Sequence, residues 1–278
     1  MTNITIDLLK KIALSISENV SQLIGTSEGA KTLEKGAGGD VSMYIDVVAE
    51  DIVISSLEKA QVDVLLISEE IGEKFIGDKE KAIKNQKKLI VDPIDGSTNS
   101  SRGIPFCSVS LAYAEGNEMN DIKKAVILDL TTKDLYWAEK EKGAFMNDKK
   151  ISVSENTMSD PLIFEIDYTY KHLIEAISKY AAIFSKLYKI RIMGSVALSF
   201  CLLAKGSIDG YIDFREGTRL VDIAGGYLIV QEAGGKMFRR DGRDLNNRLK
   251  MGDYLPIVSL NANIEPYFRN ELKRIHQK

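Results

Sequence analysis

Apolar side chains recur every three or four positions from Ile4 to Ile24, where Leu8, Leu9, Ile12, Leu14, Ile16, Val20 and Leu23 fall roughly on one side and Gly25 follows. That spacing predicts an amphipathic surface helix with a glycine stop. The next stretch, Thr26 to Ser42 (TSEGAKTLEKGAGGDVS), is polar and glycine-rich and reads as a mobile loop rather than an element. A second helix is predicted over Asp46 to Lys59. Short apolar runs predict strands at Val62 to Ile67 and Lys88 to Val91. Partial alternation of polar and apolar residues predicts further strands at Cys107 to Ala114, Ala125 to Leu130 and Asp134 to Glu139.

Beyond residue 155 the pattern changes to an alternation of strand and helix. Leu162 to Ile166 reads as extended, His172 to Phe184 as helical, Leu187 to Met193 as extended, and Ser195 to Ala204 as helical with Gly206 in the stop position. Asp209 to Phe214 follows as a strand, Asp222 to Ala233 as a helix ended by two glycines, and Ile257 to Leu260 as a strand before a C-terminal helix. The chain is therefore expected to divide into an α+β half, residues 1–155, and an α/β half, residues 156–278.

Composition narrows the class of partner. The 278 residues suffice for one large domain or two smaller ones sharing a core, and 44% hydrophobic with 28% charged residues is an ordinary globular balance. The 37 basic residues nearly cancel the 40 acidic ones, without a long basic run, which argues against nucleic-acid or membrane surfaces and for a small-molecule partner. Cys107 and Cys201 each lie in an apolar segment, as expected of packed thiols in a reducing compartment. No apolar run approaches ~18 residues, and the first apolar stretch carries Asp7. The expectation is a cytoplasmic protein with neither signal peptide nor membrane span.

Candidate chemistry begins at Leu89 to Asn99, LIVDPIDGSTN, an apolar strand that turns abruptly acidic. Asp92 and Asp95 flank a Pro that fixes φ, so a tight turn at the strand end can aim both carboxylates to one side. Two carboxylates about 4 Å apart repel by roughly 1 to 4 kcal/mol unless a cation lies between them. With oxygen donors and no His or Cys nearby, a hard ion such as Mg²⁺ suits the position. Gly96, Ser97 and Thr98 add backbone N–H groups and hydroxyls fit to cradle a phosphate. Three other acidic places could complete the set: Glu69 and Glu70 after the apolar run LLIS, Asp46 and Glu50 one helical turn apart, and Asp222 at a helix start. Taken singly, Asp222 is also a helix N-cap, the Asp46/Glu50 pair a solvated face, Glu69 and Glu70 a loop, and DPIDG an ordinary turn.

Taken together, these residues resemble the inositol monophosphatase-like phosphatases, within the superfamily that includes fructose-1,6-bisphosphatases. The central signature D-P-I/L-D-G-T/S-T-N is present at Asp92 to Asn99. Further matches are the G-x-x-G-D loop ending in Asp40, the downstream Asp46, Ser68 to Glu70, GAFMNDKKISVS, MGSVALSFCLLAKGSIDGYID and VDIAGGYLIVQEAGG. The resemblance implies an α/β/α/β/α sandwich, a homodimer, and hydrolysis of a small-molecule phosphate monoester with two or three Mg²⁺ ions per site. It implies Glu69, Asp92, Asp95, Asp222 and the Ile94 carbonyl as metal ligands, and catalytic roles for Asp46, Glu69 and Ser97, with Asp46 and Ser97 orienting and deprotonating the attacking water. Gly96 and Ser97 would receive the phosphate; Glu70, Gly194, Ser195 and Asp213 would hold substrate hydroxyls or waters; Lys35 and Asp40 would belong to a mobile loop that closes over the site. The chain departs from the animal members in having Val221, not Trp, before Asp222. DFREGTRLVD, with Arg215 and Arg219, resembles archaeal members that accept both inositol monophosphate and fructose 1,6-bisphosphate, and Arg215 there could bind a second phosphate bidentately.

Direct attack by a metal-activated water, without a phosphoenzyme, is the expected mechanism. His172 and His276 lie outside every motif and neither Cys lies in a phosphate-binding loop. An aspartyl-phosphate hydrolase would need a second Asp two positions after its nucleophile, whereas Asp92 and Asp95 are three apart. The expected substrate is inositol 1-phosphate, with fructose 1,6-bisphosphate or 3′-phosphoadenosine 5′-phosphate as alternatives. A non-catalytic sugar-phosphate sensor on the same fold is the remaining class.

Overall fold

The computed structural model describes residues 3–35, 37, 41–168, 173–215, 218–245, 247–252 and 254–277. In chain order the elements are α1 (Ile6–Val20), β1 (Thr32–Lys35), β2 (Val41–Met43), α2 (Tyr44–Lys59), β3 (Val64–Ser68), β4 (Gly72–Ile76), α3 (Lys79–Lys84), β5 (Lys87–Asp95), α4 (Ser97–Arg102), β6 (Ser108–Glu115), β7 (Ile122–Asp129), β8 (Leu135–Glu139), β9 (Gly143–Met146) and β10 (Lys149–Ile151). There follow β11 (Leu162–Asp167), α5 (Leu173–Lys179), α6 (Ala181–Phe184), β12 (Leu187–Arg191), α7 (Val196–Ala204), β13 (Gly210–Asp213), α8 (Leu220–Glu232), β14 (Lys236–Arg239), β15 (Ile257–Leu260) and α9 (Glu265–His276).

Two sheets organise these elements. One has eight strands in the order β10-β9-β8-β7-β6-β5-β3-β4, the other five in the order β12-β11-β13-β15-β14. Strand alternation sends neighbouring residues to different cores. On β5 and β6, Leu89, Val91, Val109, Leu111 and Tyr113 pack with Leu9, Ile12, Ile16, Ile45 and Val53 of α1 and α2. The opposite face, with Ile90, Ala112 and Ala114, joins α7, α8 and Tyr211 of β13 in a second core. Ile212, Val258 and Leu260 face the other way, onto Ala176, Ile183 and Phe268 of α5, α6 and α9. The layers therefore run helix, sheet, helix, sheet, helix: the α/β/α/β/α sandwich. The middle core draws residues from both sides of position 155.

Helices α7 and α8 lie between two sheets and are accordingly apolar on every side, with Leu220 to Val230 of α8 all buried. The glycine pair near the middle of α8 sets its approach. A Cβ at Gly225 would stand 2.5 Å from Ser110 Oγ on β6, and one at Gly226 would stand 2.0 Å from Cδ2 of buried Phe200 on α7. Small side chains at Ala112, Ala114, Ala125 and Ala138 line the facing sheet.

Three expectations change in the structure. The polar stretch after Gly25 contains a two-stranded hairpin, β1 with β2, in which Thr32 pairs with Met43; a polar hairpin leaves no apolar alternation to read. The helix expected over His172 to Phe184 breaks at Tyr180, whose ring is buried against Phe214 at 5.0 Å, and His172 lies outside the described residues. The short elements β4, α3, β9, β10 and β14 were not expected: β4 and β10 are edge strands and α3 is only 6 residues long, so none of these three carries a full period of burial.

The close packing of α8 yields a stability test. Gly226→Ala gains helix propensity but drives a methyl into the Phe200 ring, and the expected result is a net destabilisation of about 1–3 kcal/mol in urea titrations. An unchanged midpoint would mean that α7 can yield.

Candidate active site

Strands β3 and β5 run parallel with Ser68 paired to Val91, so Glu69, the first residue after β3, emerges beside Asp92, while β5 continues to Asp95. A third carboxylate arrives from α8, where Asp222 is the third helical residue. Its Oδ2 accepts the backbone N–H of Arg219 at 2.8 Å, the bond that satisfies an otherwise orphaned helix-start donor. Oxygens of Glu69, Asp92 and Asp222 all lie within 4.8 Å of one another. The three residues are 8%, 1% and 4% exposed, so none can shed its charge into solvent. Asp92 Oδ1 is buried without a hydrogen-bond partner.

Such a set fits a metal ion on its chemistry alone: all-oxygen donors, excess negative charge and an unsatisfied buried acceptor. Asp95 stands apart from these three. Its Oδ2 accepts the hydroxyl of Ser195 and the Ala197 N–H at 2.8 Å, and its Oδ1 accepts the Val196 N–H at 3.2 Å. It thus ties the end of β5 to the start of α7 while lining the same cavity as the other three. Ser195 is itself 1% exposed and does not line that cavity; its side chain meets Asp95 instead.

Gly96 turns the chain between β5 and α4 with φ of +88°, and a Cβ there would lie 3.0 Å from the Phe106 carbonyl oxygen and 3.3 Å from that of Gly194. Only glycine fits both constraints. Asn99 locks the neighbouring loops by donating Nδ2 to the carbonyls of Phe106 and Met193, each at 2.8 Å. Ser97 Oγ donates to the Ile94 carbonyl at 2.9 Å and lies 3.4 Å from Asp46 Oδ1. Asp46 mirrors Asp222: it is the third residue of α2, and its Oδ2 accepts the Met43 N–H at 2.9 Å. Glu50, one turn on, accepts the Ile71 N–H at 3.2 Å and so steadies the loop that carries Glu69 and Glu70. Glu70 accepts the Ser42 hydroxyl.

A second acidic pair closes the other side. β11 and β13 are parallel with Asp167 paired to Asp213, which places like charges side by side at their ends. Arg215 resolves the repulsion, with Nη1 3.2 Å from Asp167 Oδ2 and Nη2 3.1 Å from Asp213 Oδ2. Asp213 is fully buried and does not line the cavity, whereas Asp167 and Arg215 do. The cavity measures about 320 Å³ and is lined by Asp46, Glu69, Glu70, Asp92, Ile94, Asp95, the Gly96–Thr98 turn, Gly194, Arg219 and Asp222. Lys35 ends β1, and its side chain, like Asp40, lies outside what the structure describes. Sequence reasoning offered Glu50 beside Asp46, gave Asn99 and Arg219 no role of their own and missed Asp167; LIFEID, an apolar run ending in Asp, repeats the signal of LIVD and could have drawn attention to Asp167.

Burial dominates the protonation of this region. It raises the carboxyl of Asp46 to about 7, against the help of the Met43 N–H, and that of Glu165, behind the site on β11, to about 7. It also raises Glu69, where Arg219 pulls the other way, and Asp92, where the charges of Glu69 and Asp95 add to the effect. Folded protein therefore holds protons that the unfolded chain loses just above the ordinary carboxyl value near 4. Stability of the metal-free protein should decline as pH rises from about 5 to 8. Urea unfolding in chelator at both pH values checks this, and a higher midpoint at pH 8 would contradict it. Saturating Mg²⁺ should recover the loss at pH 8 by replacing the protons.

The chain and its fold have counterparts among known proteins. The inositol monophosphatase family matches residues 1–276. A fructose-1,6-bisphosphatase/inositol-1-monophosphatase of Methanothermobacter thermautotrophicus is 35% identical over 250 residues, covering 87% of this chain and 86% of that one. A bifunctional NADP phosphatase/NAD kinase of Methanococcus maripaludis is 34% identical over 92% of this chain, which spans only 47% of that longer protein. Among solved structures, an inositol monophosphatase–fructose 1,6-bisphosphatase superposes with a TM-score of 0.80 at 28% identity, covering 97% of each chain. The extragenic suppressor protein suhB of Bartonella henselae does so with a TM-score of 0.79 at 26% identity, covering 96% of this chain and 98% of that one. The chain belongs to the inositol monophosphatase family and is a phosphatase of phosphoric monoesters.

Proposed function

We propose that the protein is a Mg²⁺-dependent phosphomonoesterase that hydrolyses inositol 1-phosphate and also accepts fructose 1,6-bisphosphate. The observation that carries this is the buried triad of Glu69, Asp92 and Asp222, which opens on the same cavity as the Gly96–Thr98 turn and Asp46. Glu69, Asp92, Asp222, Asp95 and the Ile94 carbonyl are the proposed holders of the metal. Bound there, Mg²⁺ would neutralise charge on the phosphoryl group and lower the pKa of a water molecule.

The chain's own residues do the rest. Backbone N–H groups of Gly96 and Ser97 are assigned to the phosphoryl oxygens, at a turn whose glycine admits close approach. Asp46, with its carboxyl near 7, is poised to take a proton at working pH, and Ser97, 3.4 Å away, orients the attacking water toward it. That water attacks phosphorus in line, the ester P–O bond breaks, and the alcohol departs with a proton as inorganic phosphate forms. Among the described residues that line the cavity there is no His or Cys, which supports direct displacement over a phosphohistidine or phosphocysteine route. Arg215, held rigid by Asp167 and Asp213, offers a fixed cation to a second phosphate.

NADP is a second candidate substrate, favoured by the likeness to the Methanococcus maripaludis protein over 92% of this chain. Phosphate release measured in parallel from inositol 1-phosphate, fructose 1,6-bisphosphate, NADP and 3′-phosphoadenosine 5′-phosphate separates the candidates. The highest kcat/KM is expected on inositol 1-phosphate; preference for NADP would transfer the assignment, and no release from any with Mg²⁺ would overturn it. Asp92→Asn should lower phosphate release at least about 100-fold. The same variant should leave the metal-free melting temperature unchanged or higher, since it replaces a carboxyl whose ionised form burial and repulsion disfavour. A drop in both would point to a collapsed fold rather than a lost ligand.

A further inference from the structure

The proposed metal pocket contains a cation of the chain's own. Arg219, the residue before α8, donates Nη1 to Glu69 Oε1, Nη2 to Asp222 Oδ1 at 2.9 Å and Nε to Asp222 Oδ2 at 3.4 Å. Its backbone N–H holds Asp222 Oδ2 as well, at 2.8 Å. One residue thereby engages both oxygens of Asp222 and one of Glu69, and its side chain lines the active-site cavity. Asp92, the third member of the triad, is left with an unpartnered Oδ1.

We propose that Arg219 is a tethered counter-ion of the metal site: its guanidinium holds Glu69 and Asp222 while no divalent ion is bound, and it withdraws from them when one binds. The inference rests on Glu69, Asp92 and Asp222 being the ligands assigned above. Two physical constraints carry it. Mg²⁺ binds oxygens at about 2.1 Å, which draws neighbouring ligands to roughly 3 Å from one another, whereas here a guanidinium spans Glu69 and Asp222 through opposite nitrogens. Arginine cannot lose its proton to relieve repulsion from an arriving dication, as a buried lysine could, so the side chain must move. By linkage, the ion weakens the hold of Arg219 by the same factor that Arg219 weakens the hold of the ion. The arginine therefore sets metal affinity below what the three carboxylates alone would give, and keeps the metal-free site from being torn by its own charge.

The test combines Mg²⁺ titration by calorimetry with the ¹⁵N-resolved Nε–H signal of Arg219, assigned by its loss in Arg219→Gln. The signal is expected to move as Mg²⁺ saturates the wild-type protein. Arg219→Gln is expected to bind Mg²⁺ about tenfold more tightly. Its metal-free melting temperature should fall and return toward the wild-type value with saturating Mg²⁺. Should Arg219→Gln not fold without Mg²⁺, Arg219→Lys assigns the signal and the wild-type response decides. An Arg219 signal unmoved at saturating Mg²⁺, or equal or weaker Mg²⁺ binding by a folded Arg219→Gln, overturns the proposal and leaves the metal site standing. Absence of any Mg²⁺ binding by the wild-type protein overturns the metal assignment itself, and this inference with it.

Discussion

Mutual repulsion among carboxylates removed from water is the constraint on which the molecule depends. Glu69 and Asp92 resist ionisation where they are, and they and Asp222 are held together by parts of the fold built for other reasons: strand register for the first two, a helix start for the third. Isolated buried charges of this kind are strongly unfavourable. The surrounding arrangement supplies partial remedies, with Arg219 against Glu69 and Asp222, Arg215 against Asp167 and Asp213, and the first turn of α7 against Asp95. Each remedy is a cation or a set of N–H dipoles. A site so supplied favours whatever brings positive charge to it, and becomes more receptive as protons leave.

Helix ends do double duty in this economy. Asp46 and Asp222 occupy the same position in α2 and α8 and make the same bond to the N-cap backbone N–H. Capping and site-building are therefore one act: the bond that starts the helix also fixes the rotation of a carboxylate that lines the cavity. Removing either side chain would loosen a helix and empty a site together, so activity and stability are coupled at these two residues.

The legible parts of the site were those written locally. Asp92 and Asp95 stand at the end of an apolar run around a Pro, and Gly96 follows where the chain must turn. Glu69 repeats the pattern at the end of LLIS. The family signature extended this to Asp46 and Asp222, and the five-layer sandwich came with it. What stayed hidden needed pairing across the fold. Asp167 acquires meaning only beside Asp213, and that neighbour is set by the parallel register of β11 and β13. Ser195, expected near substrate, is turned inward because Asp95 takes its hydroxyl. The break at Tyr180 comes from packing against Phe214, which no helical period records. Arg219 could be seen as basic and near Asp222, but its reach to Glu69, 150 positions away, could not.

The paired glycines of α8 have a consequence for how this scaffold can change. Hydrogen is the smallest side chain available, so contact between α8 and its neighbours at positions 225 and 226 is already at its floor. Drift at position 226 can only push α8 from α7, and drift at 225 can only lift α8 off the sheet, widening the gap across which β5 and α8 must present Asp92 and Asp222 to each other. The spacing of the acids is thus bounded from below by bare backbone, and evolution can open that jaw but has nothing left with which to close it.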